Sequence, residues 1–479
     1  MKLNMALIGE LLVSESPLAA SSLKGWFVKD GGRVAVLAKY ASRFSMWAEF
    51  EGHPGNGTVV NLELELEGET VHIGACQVSH DSDTDSEIYR LIPNNIFFDL
   101  EKLFFKGKLV LFDPSLANLA LVLEHKKGIS PDFVKYVSDL SYDLNSYEVL
   151  LDQLDLQYAG EPTDVRNAIQ AGILEREVQG FTCYMDNSND ELRQLASQLD
   201  EEEKGRYGYF FRRQLWNLIL RSPLLSRTNL KPRGYNGDSE MMQMLYINDY
   251  QGDSTFGKLL HNYSVKQPAA QAVRNRRYDV STMLRDRLRE LGSSTGKKVR
   301  ILSVACGPAF EIRDILQSNE DCEKIHVSLL DQDQEALAEA AAHISLVETR
   351  LGATVSVDYI KESVRTMLAD KQLEKRLGRY DFIYSLGLFD YLSAVVAKAI
   401  VLNLYELLSP GGELVIGNLS ASNPCRYFME FWHDWKLIYR TKEDLLEMVP
   451  DSPGVVSKVR FDETGIQMML CVKKPAVNV

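Results

Sequence analysis

Five short apolar runs in the last third of the chain constrain its fold more than any other feature. VRILSVACG, KIHVSLLDQD, ATVSVDYI, YDFIYSLGL and GELVIGN each lead into a stretch of helical periodicity. Runs that are apolar throughout, rather than alternating, predict parallel strands covered by helices on both faces. The end of the chain departs from that rhythm: VVSKVRFDETGIQMMLCVKK reads as two strands joined by a tight Glu463-Thr464-Gly465 turn, which predicts an antiparallel last strand. Residues 296–479 are therefore expected to form an α/β unit, a seven-stranded Rossmann-like sheet with an antiparallel last strand.

The preceding residues read differently. Residues 1–125 are β-rich: Val34 to Phe50 is dense in Val, Ala and aromatic residues, and LELELEGETVHIG alternates with period two about a Glu67-Gly68 turn. With KLVLFDPS and LALVLEHKKG as further strands, a small antiparallel, barrel-like all-β domain is expected. Periodicity then turns helical over residues 126–295. Ser130-Pro131 offers an N-cap and a first-turn proline, and Phe133, Tyr136, Val137 and Leu140 share one face. Leu192, Leu195 and Leu199 repeat the pattern before the acidic run Asp200 to Glu203, which reads as a solvated helix end. A polar loop, residues 292–298, leads into the last third, so a chain of 479 residues divides into three regions, near the prior of about 150 residues per domain.

Charge and cysteine usage exclude several functions. Lys plus Arg total 53 against 67 Asp plus Glu, and a formal charge of -14 argues against nucleic acid as partner. The six cysteines show no CxxC spacing, so they read as reduced thiols, and no metal site is expected. Asn4 and Glu10 interrupt the short apolar N-terminal stretch, and the longest apolar tract, AVVAKAIVLNLYELL, contains Lys398 and Glu406. No signal peptide or membrane span is expected, and the location predicted is cytoplasmic. Oligomeric state is left open.

Candidate chemistry gathers where the apolar runs end. In the turn Ser303-Val304-Ala305-Cys306-Gly307-Pro308-Ala309-Phe310-Glu311, small residues at 305, 307 and 309 let a ligand approach the backbone. A full GxGxxG is missing, which disfavours a dinucleotide's pyrophosphate. Asp331, followed by Gln332, ends the next run, where a carboxylate can accept ribose hydroxyls, unless it is an ordinary surface acid. Glu362 and Ser363 follow the third run, where they could read an adenine edge or simply cap a helix. Ser385 and Gly387 end the fourth, with Phe389, which suits a core position, and Tyr391 in the loop beyond. Ser409-Pro410-Gly411-Gly412 is a turn with a structural role.

In this order and spacing, these elements resemble the class I S-adenosyl-L-methionine (AdoMet) methyltransferases across residues 298–475, whose sheet ends in an antiparallel strand. The departures are Ser303 where an acidic residue is usual and Ala305 and Ala309 where glycines are. Glu311 is a candidate to hold the cofactor's amino group instead. Upstream, KPRGYNGDSEMM (231–242) and PAAQAVRNRR (268–277), together with ACGPAFE, GLFDYL, IGNLSASNP and FWHDWKLIYRT, are similar to the bacterial family that includes the extracellular-factor synthase, maker of 3-hydroxypalmitic acid methyl ester. This second resemblance spans residues 205–475.

The resemblance implies AdoMet as cofactor and a small-molecule acceptor, plausibly the carboxylate of a 3-hydroxy fatty acid, giving a methyl ester for quorum sensing. It makes residues 126–295 a helical lid, with Tyr235 and Asp238 near the sulfonium and Arg233 or Arg276 orienting an anionic acceptor. Tyr235, Arg276, Tyr391 and His433 form the candidate catalytic set, with Asn418 also on the substrate side. Two bland alternatives stand beside it: Arg276 paired with an acidic residue, and His433 packed among Trp432 and Trp435. Some family members carry a PilZ-like barrel at the N-terminus. Here that domain would be degenerate, because residues 1–125 hold neither the RxxxR pair nor the D/NxSxxG loop, which argues against cyclic di-GMP as a ligand. Other acceptors, a natural product or a protein, and a non-catalytic ligand-sensing scaffold are the alternatives.

Overall fold

The computed structural model describes the strands between residues 23 and 93 without most of their connections, and residues 128–476 apart from 293–296 and 371. The expected strands KLVLFDPS and LALVLEHKKG lie outside the described residues. The chain divides into two units, Met1–Gly128 and Ile129–Val479.

In the first unit, β1 (Leu23–Lys29), β2 (Gly32–Ala41), β3 (Met46–Phe50), β4 (Val59–Leu66), β5 (Glu69–Ser79) and β6 (Ile88–Pro93) are paired antiparallel. Pairing of β1 with β4 closes them into a barrel of order β1-β2-β3-β6-β5-β4. The period-two pattern explains the inside: Val60, Leu62 and Leu64 are buried with Phe27, Met46 and Leu91, while Val59 faces out. β4 and β5 pair from Leu66 and Glu69 outward, flanking the turn expected at Glu67-Gly68.

The second unit joins a helical segment to the α/β sheet. Its first helix, Pro131–Gln157, starts as the sequence indicates, with the Ser130 hydroxyl accepting the Phe133 N–H at 3.3 Å. The acidic run is a solvated helix end, and it is the start of the next helix. Asp200 and Glu203 form a reciprocal capping box that starts the helix Glu201–Gln214, so the acids sit where the positive end of the helix dipole favours them. The helices enclose an aromatic core of Phe133, Phe181, Phe211 and Phe256, and into it comes a segment from the far end of the chain, Phe431 and Trp432 of the helix Arg426–Trp432. Both are fully buried, Trp432 packs edge-on against Phe211, and its indole N–H donates to Asn189 Oδ1 at 3.1 Å.

The sheet runs β12-β13-β11-β10-β7-β8-β9. Its strands are β7 (Val299–Val304), β8 (Ile325–Asp331), β9 (Ser356–Lys361), β10 (Tyr380–Ser385), β11 (Leu408–Leu419), β12 (Val456–Phe461) and β13 (Gln467–Lys473). Only β13 runs against its neighbours, inserted between β11 and β12. That order, a seven-stranded mixed sheet with the reversed strand next to the edge, is the one expected from the sequence. β7, β8 and β10 are apolar because helices cover both faces; β9, an edge strand, is largely exposed despite its apolar sequence. The chain leaves β7 toward β8 and β9, then returns to place β10 on the opposite side of β7. The sheet therefore has its switch point at the carboxyl ends of β7 and β10, where such folds bind ligands. Trp432→Ala should cost about 3–5 kcal/mol of unfolding free energy, read as a lower urea midpoint, because it empties the core that the helices and the sheet's own chain share.

Candidate functional site

After β7 the backbone takes an unusual path. Ala305, Gly307 and Ala309 have φ of 53°, 53° and 50°, all left-handed. The two alanines thus keep the conformation that glycine would ordinarily supply, at a cost of about 1–2 kcal/mol each. The turn is closed by Ala309 N–H to Cys306 O at 3.1 Å and tied to β8 by Cys306 N–H to Leu330 O at 3.1 Å. A Cβ at Gly307 would meet nothing within 4 Å, so the turn faces open space. Pro308 is fixed from the other side, its carbonyl accepting from His343 Nδ1 at 3.0 Å.

Asp331 organises the next strand end. One carboxylate oxygen accepts the Gly307 N–H at 3.0 Å and the other the Asp333 N–H at 2.9 Å. Burial pushes its carboxyl above the ordinary range, offset in part by those backbone donors. Gln332 beside it is exposed. Beyond β9, Glu362 is held by both oxygens to Arg376 at 2.8 and 2.9 Å. Ser363 caps the short helix Val364–Ala369 by exchange with Thr366, so its hydroxyl follows the bland reading.

At the end of β10 several buried polar atoms have no partner. Ser385 Oγ and the Tyr384 hydroxyl, which lies beside Ser303, are both unpartnered. Arg276, on the helix Pro268–Gly292, is only 6% exposed. Its guanidinium donates to Leu386 O at 3.1 Å and Gln467 Oε1 at 3.3 Å and touches Met242 Sδ, while Nε has no partner. A Cβ on Gly387 would lie 3.4 Å from its Nη2, so that glycine keeps room beside the cation. Asp390 faces the same region; burial raises its pKa to about 6, and it accepts the Leu419 N–H at 2.7 Å. Glu311, in the first turn of the helix Phe310–Ile315, is 4% exposed, and burial raises its pKa too.

The remaining candidates have mostly structural tasks. Arg233 was a candidate anion anchor, but its fork is saturated: it pairs with Asp333 at 3.1 Å, Glu335 at 3.0 Å and Glu339 at 2.5 Å and donates to Ser239. Arg274 is used by the Leu245 and Val265 carbonyls and Gln271, and Arg277 by both oxygens of Asp314. Of these four arginines, Arg276 alone keeps a buried nitrogen without a partner. The Tyr235 hydroxyl donates to Asp333 at 2.9 Å. Asp238, 2% exposed, caps the helix Ser239–Ile247 and binds Arg227 through both oxygens, which leaves it no free face. The Tyr391 hydroxyl accepts from Trp435 Nε1 at 2.7 Å and donates to Asn236 O at 3.0 Å, while Asn418 is wholly buried and bound to Arg440. Phe389 is core. His433 is a packed imidazole, 4% exposed, against the Thr228 hydroxyl at 3.1 Å, and burial lowers its pKa to about 3, which favours the neutral form.

Sequence reasoning missed Asp333, which fastens both Arg233 and Tyr235 to the rim of the site, and the Tyr384 hydroxyl. The spacing of Asp333, two after Asp331, was the available signal; its partners are 98 and 100 residues away.

A family model described as "Putative methyltransferase" matches residues 180–356, the later helices and the first two strands of the sheet. No curated protein matches the sequence. Among solved structures, a possible exported protein from Bordetella parapertussis is 17% identical, covering 55% of this chain and 96% of its own at a TM-score of 0.40. Magnesium protoporphyrin IX methyltransferase from Synechocystis, with bound S-adenosylhomocysteine, is 11% identical over 43% of this chain and 87% of its own, TM-score 0.32. The N-methyltransferase NodS of Bradyrhizobium japonicum is 14% identical over 41% and 97%, TM-score 0.27.

The left-handed alanines make a direct prediction. Ala305→Gly should raise stability by up to about 1 kcal/mol, the relieved strain exceeding the added unfolded-state entropy, and Ala305→Val should lower it, since a β-branched residue tolerates this conformation poorly. Urea midpoints of the two variants measure the difference.

Proposed function

We propose that this chain is an AdoMet-dependent methyltransferase acting on the carboxylate of a small acid with an apolar body, of the kind a 3-hydroxy fatty acid represents. The observation that carries the cofactor is the turn over Asp331: a left-handed backbone facing open space at Gly307, beside a buried carboxylate. Such a rim suits a nucleoside without phosphates, with Asp331 taking the ribose hydroxyls. AdoMet, when bound, supplies a methyl group on a sulfonium, and its amino-acid end would meet the unpartnered Ser385 and Tyr384 hydroxyls.

The acceptor class rests on Arg276. A buried guanidinium with a free Nε, in hydrogen-bond contact with carbonyls and no carboxylate, is poised for an anion. Beside it, Met242 Sδ touches the guanidinium and packs with Met241, Leu245, Val273 and Met429 in an apolar, methionine-rich cluster, and methionines adapt to flexible ligands. An ionised carboxylate needs no general base at neutral pH. The protein's contribution would be positioning: Arg276 orients one carboxylate oxygen, and the aromatic and apolar walls exclude water. Tyr391 and Tyr235 hold the covering loop in place.

Calorimetry with S-adenosylhomocysteine tests the cofactor: binding is expected, with at least a tenfold loss in Asp331→Ala, and a folded protein that does not bind would sink the assignment. For the acceptor, Arg276→Gln should raise KM for 3-hydroxy acids at least tenfold while S-adenosylhomocysteine affinity holds. Methyl transfer only to hydroxyl or protein acceptors would redirect the substrate class, and the absence of any turnover would favour a ligand-sensing scaffold.

A further inference from the structure

If a sulfonium nucleoside binds here, its ammonium group needs an anion, and the end of β7 does not supply one. Position 303, the last but one residue of β7, is a serine, 1% exposed, which brings no charge to that strand end. Of the nearby carboxylates, Asp331 is assigned to the ribose, and Asp314 is bound to Arg277, Asp333 to Arg233 and Tyr235, and Asp390 to the Leu419 N–H.

Glu311 differs from all of them. It begins the helix that follows the left-handed turn, lies 4% exposed, and among the described residues has no salt bridge and no hydrogen bond from another side chain. Two arginines are close enough to act on it through their charge, but Arg277 is spent on Asp314 and Arg276 is turned to Leu386 O and Gln467. The Tyr246 and Tyr384 phenols are near enough to feel its charge, and the Tyr384 hydroxyl, close to Ser303, makes no hydrogen bond of ordinary geometry. A buried carboxylate with no direct ion pair is costly unless a positive group joins it.

We infer that Glu311, with the Tyr384 hydroxyl beside it, receives the α-ammonium of the cofactor, so that the charge missing at Ser303 is provided from the helix on the other side of the turn. This rests on the cofactor reading above and deepens it. It also explains why a buried acid is kept one turn from a backbone made strained by alanines.

The experiment compares S-adenosylhomocysteine with its deamino analogue, which carries hydrogen in place of the amino group, by calorimetry on the full chain. The unaltered protein should prefer the amino ligand at least tenfold. Glu311→Gln should remove that preference by weakening only S-adenosylhomocysteine, Glu311→Asp should keep part of it, and Ser303→Asp added to Glu311→Gln should restore it by returning the charge to β7. Equal affinity of the unaltered protein for both ligands would overturn the inference without any variant, and so would an equal loss of both in Glu311→Gln, the mark of a merely structural acid. A protein that binds neither ligand would remove the cofactor reading, and this inference with it.

Discussion

The burial of Phe431 and Trp432 is the contact on which the arrangement of the second unit depends. These residues follow β11 in the chain, yet their rings complete the core of the helical segment, against Phe133 and Phe211. Helices and sheet therefore share apolar surface instead of merely touching, and separating them would expose two of the largest buried side chains in the protein. What remains adjustable is small: the loop 231–238, where Gly234 and Gly237 have positive φ, lies over the rim of the site. It is fastened by the Arg233 fork and by the Tyr391 hydroxyl, and Gly237 is required there because a Cβ would come within 2.8 Å of that hydroxyl.

Electrostatics inside the site run against the field of the whole molecule. The chain carries a net charge of -14, which repels an anionic acceptor at a distance. Most arginines that could counter it locally are neutralised in the fold, Arg233 by three carboxylates and Arg277 by Asp314. Arg276 is the exception: its guanidinium is held by the Leu386 carbonyl and the Gln467 amide oxygen, with no carboxylate in direct contact. Its local positive potential acts over a few ångströms in a region of low dielectric, where it outweighs a screened surface field.

Much of the fold was legible because its signals are local. Strands buried on both faces announce themselves as unbroken apolar runs, and the hairpin Val456–Phe461, Gln467–Lys473 follows from one tight turn. Ser130 capped its helix as its spacing implied. The acidic run at 200–203 was readable as a solvated helix end, but a charge cluster does not by itself say which end. Within the site, Asp331 and Gly307 were readable from position alone, and the structure brings them into contact. The task of Arg233 was not, since its partners lie 100 and 106 residues away and any surface arginine has the same sequence appearance. For His433 the choice between catalytic and packed imidazole was open for the same reason: an imidazole next to tryptophans says nothing of its solvation until the helices close around it.

The two bonds to Asp331 have a kinetic and entropic side. Each carboxylate oxygen is already held by one backbone N–H, from Gly307 on one turn and Asp333 on the next. The group is thereby fixed between the two turns. A diol arriving at this rim would find its acceptor preorganised, with no rotamer left to freeze. The same anchoring links the two turns, so a ligand gripping Asp331 would stiffen the backbone under its other end as well.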